Sequence, residues 1–150
     1  MGHSKFGNVM FAAGMLLICG QAWAADAGIA KKILGDVRVV RAGTSTPLKV
    51  GDPLQELDRI IVAATGSAGL TLKDETLISL GPNSTFVIDS FAFDAKTNQG
   101  RADVSIVRGA MRYVTGLIAK LNPAAVSVST TTVVMGVRGT EFIVETTDEK

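Results

Sequence analysis

Histidine, cysteine and tryptophan, on which most nucleophilic, metal-centred and stacking chemistry depends, occur once each, as His3, Cys19 and Trp23. All three fall within the first 24 residues, a stretch whose composition differs from everything after it. Beyond that stretch, chemistry would have to come from carboxylates, lysines, hydroxyls and the single tyrosine, Tyr113. No Ser-His-Asp or Cys-His nucleophile, no zinc site with nitrogen or sulfur ligands and no ordinary haem or iron–sulfur ligation can be assembled from these types. No cofactor and no stoichiometric transition metal are expected.

The remaining candidates are few. Gly51-Asp52 with Asp58 offers paired carboxylates, as calcium ligands or as acid and base. One Gly-Asp with a second Asp a strand's length further on is thin ligand density, so turn formation is the better reading. Asp74-Glu75 reads as a solvated charge pair at a hairpin tip rather than a metal contact, and Asn83-Ser84-Thr85 as a turn rather than a glycosylation acceptor. Gly136-Val137-Arg138-Gly139-Thr140 has two readings. In the structural one, Gly136 and Gly139 permit a bend or bulge where a Cβ would clash, Thr140 bonds a free backbone group, and Arg138 crosses the corner to a carboxylate or to exposed carbonyls. In the functional one, Arg138 anchors an anion or a peptide carboxylate. The structural reading is preferred, with Gly136, Arg138, Gly139 and Thr140 kept as possible recognition residues.

These residues must be positioned by strands. From Ile33 onward apolar residues recur with a period near two, interrupted at short intervals by Gly, Pro, Asn or Asp. Strands are expected at Asp36 to Arg41, Leu54 to Asp58, Arg59 to Ala64, Ala68 to Lys73, Thr76 to Leu80, Thr85 to Phe91, Asp103 to Val107, Ala110 to Thr115, Val126 to Thr131 and Thr140 to Thr146. A hairpin over residues 70–80 puts Leu70, Leu72, Ile78 and Leu80 on one apolar face. Leu117, Ile118 and Leu121 stand at helical spacing before Asn122-Pro123, which suggests a helix of no more than about two turns. The stretch from Asp94 to Gly100 reads as a polar loop. Phe91 and Phe93 are expected on one strand face and Phe86 on the other, all three packing rather than recognising, with Phe93 the most exposed; Tyr113 is also read as packing.

The 150 residues, 47% hydrophobic and 19% charged with 16 glycines, bound the chain to one turn-rich domain and exclude disorder. Residues 1–24 read as an export signal: Lys5 precedes an apolar run from Val9 to Cys19, too short to span a bilayer, and Ala22-Trp23-Ala24 places small residues where a peptidase needs them. Cleavage is expected before Ala25, and bulky Ile18 before Cys19 argues against lipidation. The mature chain, 25–150, is expected to be one domain with a core over about 33–146 and no stable membrane span, and to be periplasmic or secreted. Of the 15 basic residues only Lys5 lies in the leader, so the remainder equals the 14 acidic ones, and a nucleic-acid partner is not expected.

The order of punctuating residues across Gly35 to Val144 resembles the FecR domain of bacterial envelope proteins. The resemblance is carried by Gly35-Asp36-Val37, then Leu48 to Leu54 with Gly51-Asp52-Pro53, Asp58-Arg59-Ile60-Ile61-Val62, and Gly66-Ser67-Ala68. It continues through Gly81-Pro82-Asn83-Ser84, Phe86 and Arg108-Gly109, and closes at Val133 to Phe142. The family usually has Asp-Gly-Thr at the hairpin tip; here Glu75 takes the place of the glycine, so a wider turn is expected. The iron-uptake regulators of the family also carry a sigma-regulating segment, a membrane helix and a further signal-receiving domain, none of which is expected to fit here. The resemblance implies the module and a signalling or scaffolding role in the periplasm.

The expected fold is all-β, about ten short strands in a twisted sandwich or a solenoid-like stack of sheets. The leading functional expectation is a non-enzymatic module that contacts an envelope protein, a receptor or a sensor. The second is binding to cell-wall polymer or polysaccharide, for which few aromatic platforms are available. The third and weakest is a hydrolase using two facing carboxylates about 5 to 9 Å apart.

Overall fold

The computed structural model describes Gly2 and residues 25–147. The export-signal reading, its cleavage site, Cys19 and the charged end at 148–150 rest on residues outside these.

The fold is all-β, as the alternation implies. Twelve strands form one curled sheet among the described residues: β1 (Asp26–Leu34), β2 (Val37–Arg41), β3 (Thr44–Pro47), β4 (Pro53–Gln55), β5 (Arg59–Val62), β6 (Ser67–Leu72), β7 (Leu77–Leu80), β8 (Thr85–Asp94), β9 (Gln99–Val114), β10 (Val126–Ser129), β11 (Val134–Gly136) and β12 (Glu141–Thr146). One limb runs β4-β1-β6-β7-β9-β12 and the other β3-β2-β5-β8-β9-β10-β11.

β9 belongs to both limbs. Its first half pairs with β8, and its second half pairs with β7 on one side and β12 on the other. Two strands with a break at Arg108-Gly109 were expected here; instead the strand runs on and bends. Gly109 sits at φ +91, and a Cβ there would lie 2.3 Å from the Ser84 hydroxyl, so only glycine lets β9 turn the corner. Ser84, buried, accepts from the Ala110 N–H and fastens the bend.

The hairpin of β6 and β7 buries Leu70, Leu72, Ile78 and Leu80 together, as the alternation predicts. Glu75 departs from expectation. The turn is not widened, because Leu72 N–H bonds Thr76 O and Glu75 N–H bonds Leu72 O, and Glu75 itself takes the left-handed conformation at φ +67. Asp74 is a second correction: it is fully buried, not solvated, and its carboxylate accepts from both the N–H and the hydroxyl of Thr76.

Two strand readings are also revised. The polar loop of 94–100 is shorter than expected, since β8 and β9 continue into a hairpin turning at residues 95–98. Its register shifts between Ile88 and Ser90, and this bulge rotates Phe91 and Phe93 onto the face of Phe86, so all three pack towards one core. β1 begins seven residues ahead of Ile33; its own register shift between Ala30 and Lys32 hides the period of two.

Among the described residues all the pairings are antiparallel except β9 with β10. A parallel pair needs a crossover, and the segment from Leu117 supplies it as α1 (Leu117–Leu121) followed by a 3-10 turn at Pro123–Ala125. Ile118 of α1 is buried, and Gly100 leaves the space it fills.

Candidate functional site

The segment from β11 to β12 holds the residues that the sequence marked. Val137 is buried and anchors it. At the far side the Thr115 N–H bonds Thr140 O at 2.9 Å, while the Thr115 hydroxyl reaches Gly139 O at 3.3 Å and Thr140 O at 3.2 Å. The bend is therefore satisfied by Thr115 and not by the Thr140 side chain, which is exposed. Gly139, at φ +119, needs its glycine. Gly136 does not: its φ is not positive and a Cβ there would meet nothing within 4 Å, so the expected clash is absent.

Arg138 projects between these two anchors and is exposed. It makes no hydrogen bond or ion pair among the described residues, and the expected clamp across the corner is not seen among them. The nearest acidic residue in sequence, Glu141, is already held by Arg112 Nε at 2.6 Å. That bond keeps the Glu141 carboxyl below the usual carboxylate range and the Arg112 guanidinium above its own.

Gly136 to Gly139 form one wall of a cleft of about 640 Å³, and Asn122, Pro123 and Ala124 form the other. Asn122 also borders a second cleft of about 510 Å³, where Asn98, Gln99 and Asn122 stand around Ile118 and Leu121. The crossover after β9 thus supplies one wall to each.

The other candidate residues do structural work at separate places. Asp52 accepts from the Lys49 N–H in a turn where Gly51 has φ +93, which agrees with the turn reading. Asp58 is fully buried, and Arg41 grips both its oxygens at 2.7 and 2.6 Å while the Gln55 N–H adds a third bond. The Asp58 bond holds the Arg41 guanidinium above its usual pKa. This pair escaped sequence reading because only the β2–β5 register brings the two residues together. Among the described residues no group of three or more acidic side chains converges as a metal site would require.

Tyr113 packs as expected, fully buried. Among the described residues its hydroxyl has no hydrogen-bond partner, although Thr76, whose own hydroxyl donates to Asp74, lies close by. Burial pushes the phenol pKa up to about 12, with the neighbouring Thr76 hydroxyl working against the rise and the Asp74 charge adding to it.

An all-β module with a long strand shared by two limbs, closed by the Gly136 to Phe142 segment, is thus the class of protein in hand. The FecR protein family matches residues 58–150, more than half of the chain, and the chain belongs to that family. The match takes in Asp58 to Val62, the hairpin, Arg108-Gly109 and the closing segment; the resembling residues from Gly35 to Leu54 lie ahead of it. No curated protein and no solved structure matches the chain. Family membership supports a signalling-related module. Among the described residues no helix is long and apolar enough to cross a membrane.

Proposed function

We propose that this protein is an exported, non-enzymatic FecR module that works in the periplasm by binding another envelope protein, in signalling or scaffolding. The observation that carries the reading is the open edge of β12. Among the described residues this strand pairs only with β9, and its Ile143 is 71% exposed between Glu141 and Glu145. Because the Thr115 N–H bonds Thr140 O, strand alternation turns the N–H groups of Glu141 and Ile143 away from β9 towards the open side. An edge of this kind accepts a partner strand by backbone pairing, while its two carboxylates discourage pairing with itself.

Crosslinking in intact cells followed by mass spectrometry tests the reading, with Glu141→Pro as the variant that removes one outward donor. Loss of a specific envelope partner in a variant that still folds supports it, and unchanged capture refutes the assignment to β12. Intact-mass measurement of the periplasmic protein is expected to show a chain beginning at Ala25; one beginning at a diacylated Cys19 would overturn soluble export.

A second reading, binding of wall polymer, draws on the three carboxamides of Asn98, Gln99 and Asn122 around the apolar floor of Ile118 and Leu121. Sedimentation with purified wall polymer tests it directly; that reading requires co-sedimentation that weakens in Gln99→Ala.

A further inference from the structure

The second open edge, β11, differs from β12 in a way that points to a particular ligand. Among the described residues β11 pairs only with β10, and Val134 is 74% exposed. Exposed edges are ordinarily blunted by charge or proline, as β12 is by two glutamates and β3 by Pro47. β11 has neither. From Leu121 to Thr140 the sequence contains one charged residue, Arg138, two positions past the end of this strand.

We infer that β11 and Arg138 together receive the C-terminus of a partner protein: an extended segment pairs in parallel along β11, and its terminal carboxylate ends on the Arg138 guanidinium. The inference deepens the reading that this module binds a protein, and it rests on that reading.

Orientation follows from charge. A strand laid parallel to β11 brings its C-terminal end towards Arg138, whereas an antiparallel one would bring its other end, and with it any free ammonium group, to the same cation. Parallel pairing is slightly weaker per residue, and the ion pair offsets the difference. A guanidinium suits the task because its fork of donors takes both carboxylate oxygens at once. Among the described residues nothing consumes that fork, and its backbone is held on both sides, by buried Val137 and by the Thr115 bonds to Gly139 O and Thr140 O.

The cleft beside it is of ligand size, at about 640 Å³, and among the described residues Arg138 is the only charged one in its lining. Gly136 gains a meaning in this setting. Neither φ nor packing requires a glycine there, yet the position faces open space in the cleft wall, where a bare backbone lets another backbone approach.

The test uses the mature protein and two arrays of random eight-residue peptides, identical except that one carries free C-termini and the other C-terminal amides. Hits are remeasured in solution by fluorescence anisotropy. The expected result is a set of peptides that bind through the free acid and lose about tenfold or more as amides, with a similar loss in Arg138→Ala and a smaller one in Arg138→Lys. Gly136→Val is expected to weaken the same peptides while leaving the melting temperature unchanged, because a Cβ there meets nothing within 4 Å. The site is overturned if no peptide binds more tightly than about 1 mM, if acid and amide bind alike, or if the Arg138 or Gly136 variants bind as well as the parent. A blank array with an envelope partner still crosslinked in cells removes this site and leaves protein binding standing; a blank array with no crosslinked partner removes both.

Discussion

Tyr113 and Phe142 stack across the β9–β12 ladder with ring centroids 5.2 Å apart and planes 21° from parallel. Tyr113 lies in the core with Phe142 packed against it, but among the described residues the buried Tyr113 hydroxyl has no partner. An orphaned buried hydroxyl forfeits its water bonds and gains nothing in return. Tyr113→Phe is therefore expected to leave stability unchanged or to raise it by about 1 kcal/mol in chemical denaturation. A loss of more than that would mean that the hydroxyl has a bond which the structure does not show.

The same burial makes a pH prediction. Folding raises the Tyr113 pKa from an ordinary value near 10 to about 12. The folded state favours the neutral phenol, so its stabilisation is complete below pH 10 and is lost as pH rises from 10 to 12, amounting to about 2 to 3 kcal/mol. Tyr113 is the only tyrosine, so phenolate absorbance reports it alone. Ionisation near pH 10 in the folded protein would contradict the burial.

Arg41 and Asp58 pose a different balance. Asp58 has 0% side-chain exposure while Arg41 keeps 40%, so the cost of separating them falls mainly on the carboxylate. Arg41→Ala leaves a buried charge with only the Gln55 N–H for a partner, and a loss of about 2 to 3 kcal/mol is expected, the lower side of the range for broken buried pairs because Arg41 is partly solvated. Arg41→Lys keeps the charge and loses the fork, so an intermediate loss is expected. Urea titration of both variants decides it; equal, negligible losses would show that the pair is decoration.

Glu75 holds a left-handed backbone at the tip of the β6–β7 hairpin without a special side-chain role in the turn. A residue with a Cβ is strained there by about 1 kcal/mol, and glycine is not. Glu75→Gly is expected to stabilise the protein by about 0.5 to 1 kcal/mol, after the greater freedom of glycine in the unfolded chain is subtracted. Thermal melts that show a decrease would locate the strain elsewhere.

The residues that sequence reading placed well are those governed by local periodicity. Leu70, Leu72, Ile78 and Leu80 share a face because alternation within one hairpin fixes it, and Leu117, Ile118 and Leu121 mark α1 because three apolar residues before Asn-Pro leave few alternatives. What it missed depends on register or on distant packing. One bulge moved Phe91 and Phe93 across the strand, and another concealed β1. Asp74 is buried because the distant segment at Gly116-Leu117 closes over the hairpin tip, which no local pattern announces. The candidate site was legible as a segment, from its two glycines around Val137-Arg138, but the roles within it were not. Thr115, just past the end of β9, does what Thr140 was expected to do.

The glycines around that closure give the last prediction, because they look alike in sequence and differ in space. At Gly116 a Cβ would stand 2.2 Å from Asp74 O and 2.5 Å from Thr76 N, both backbone atoms that hold the hairpin tip, and Leu117 N–H bonds Asp74 O at 2.7 Å directly beside them. Neither the tip nor the start of α1 can yield without breaking that bond and exposing the buried Asp74 carboxylate. Gly139 is costly for another reason, its φ of +119, with nothing within 4 Å of the added Cβ. Gly136 has neither constraint. Alanine at the three positions is expected to order the losses as Gly116 largest, at about 3 kcal/mol or more, Gly139 between about 1 and 2, and Gly136 near zero. Glycine-to-alanine melts on the same background measure all three, and a Gly116→Ala protein that melts with the parent would show that the crossover does not rest on the hairpin tip at all.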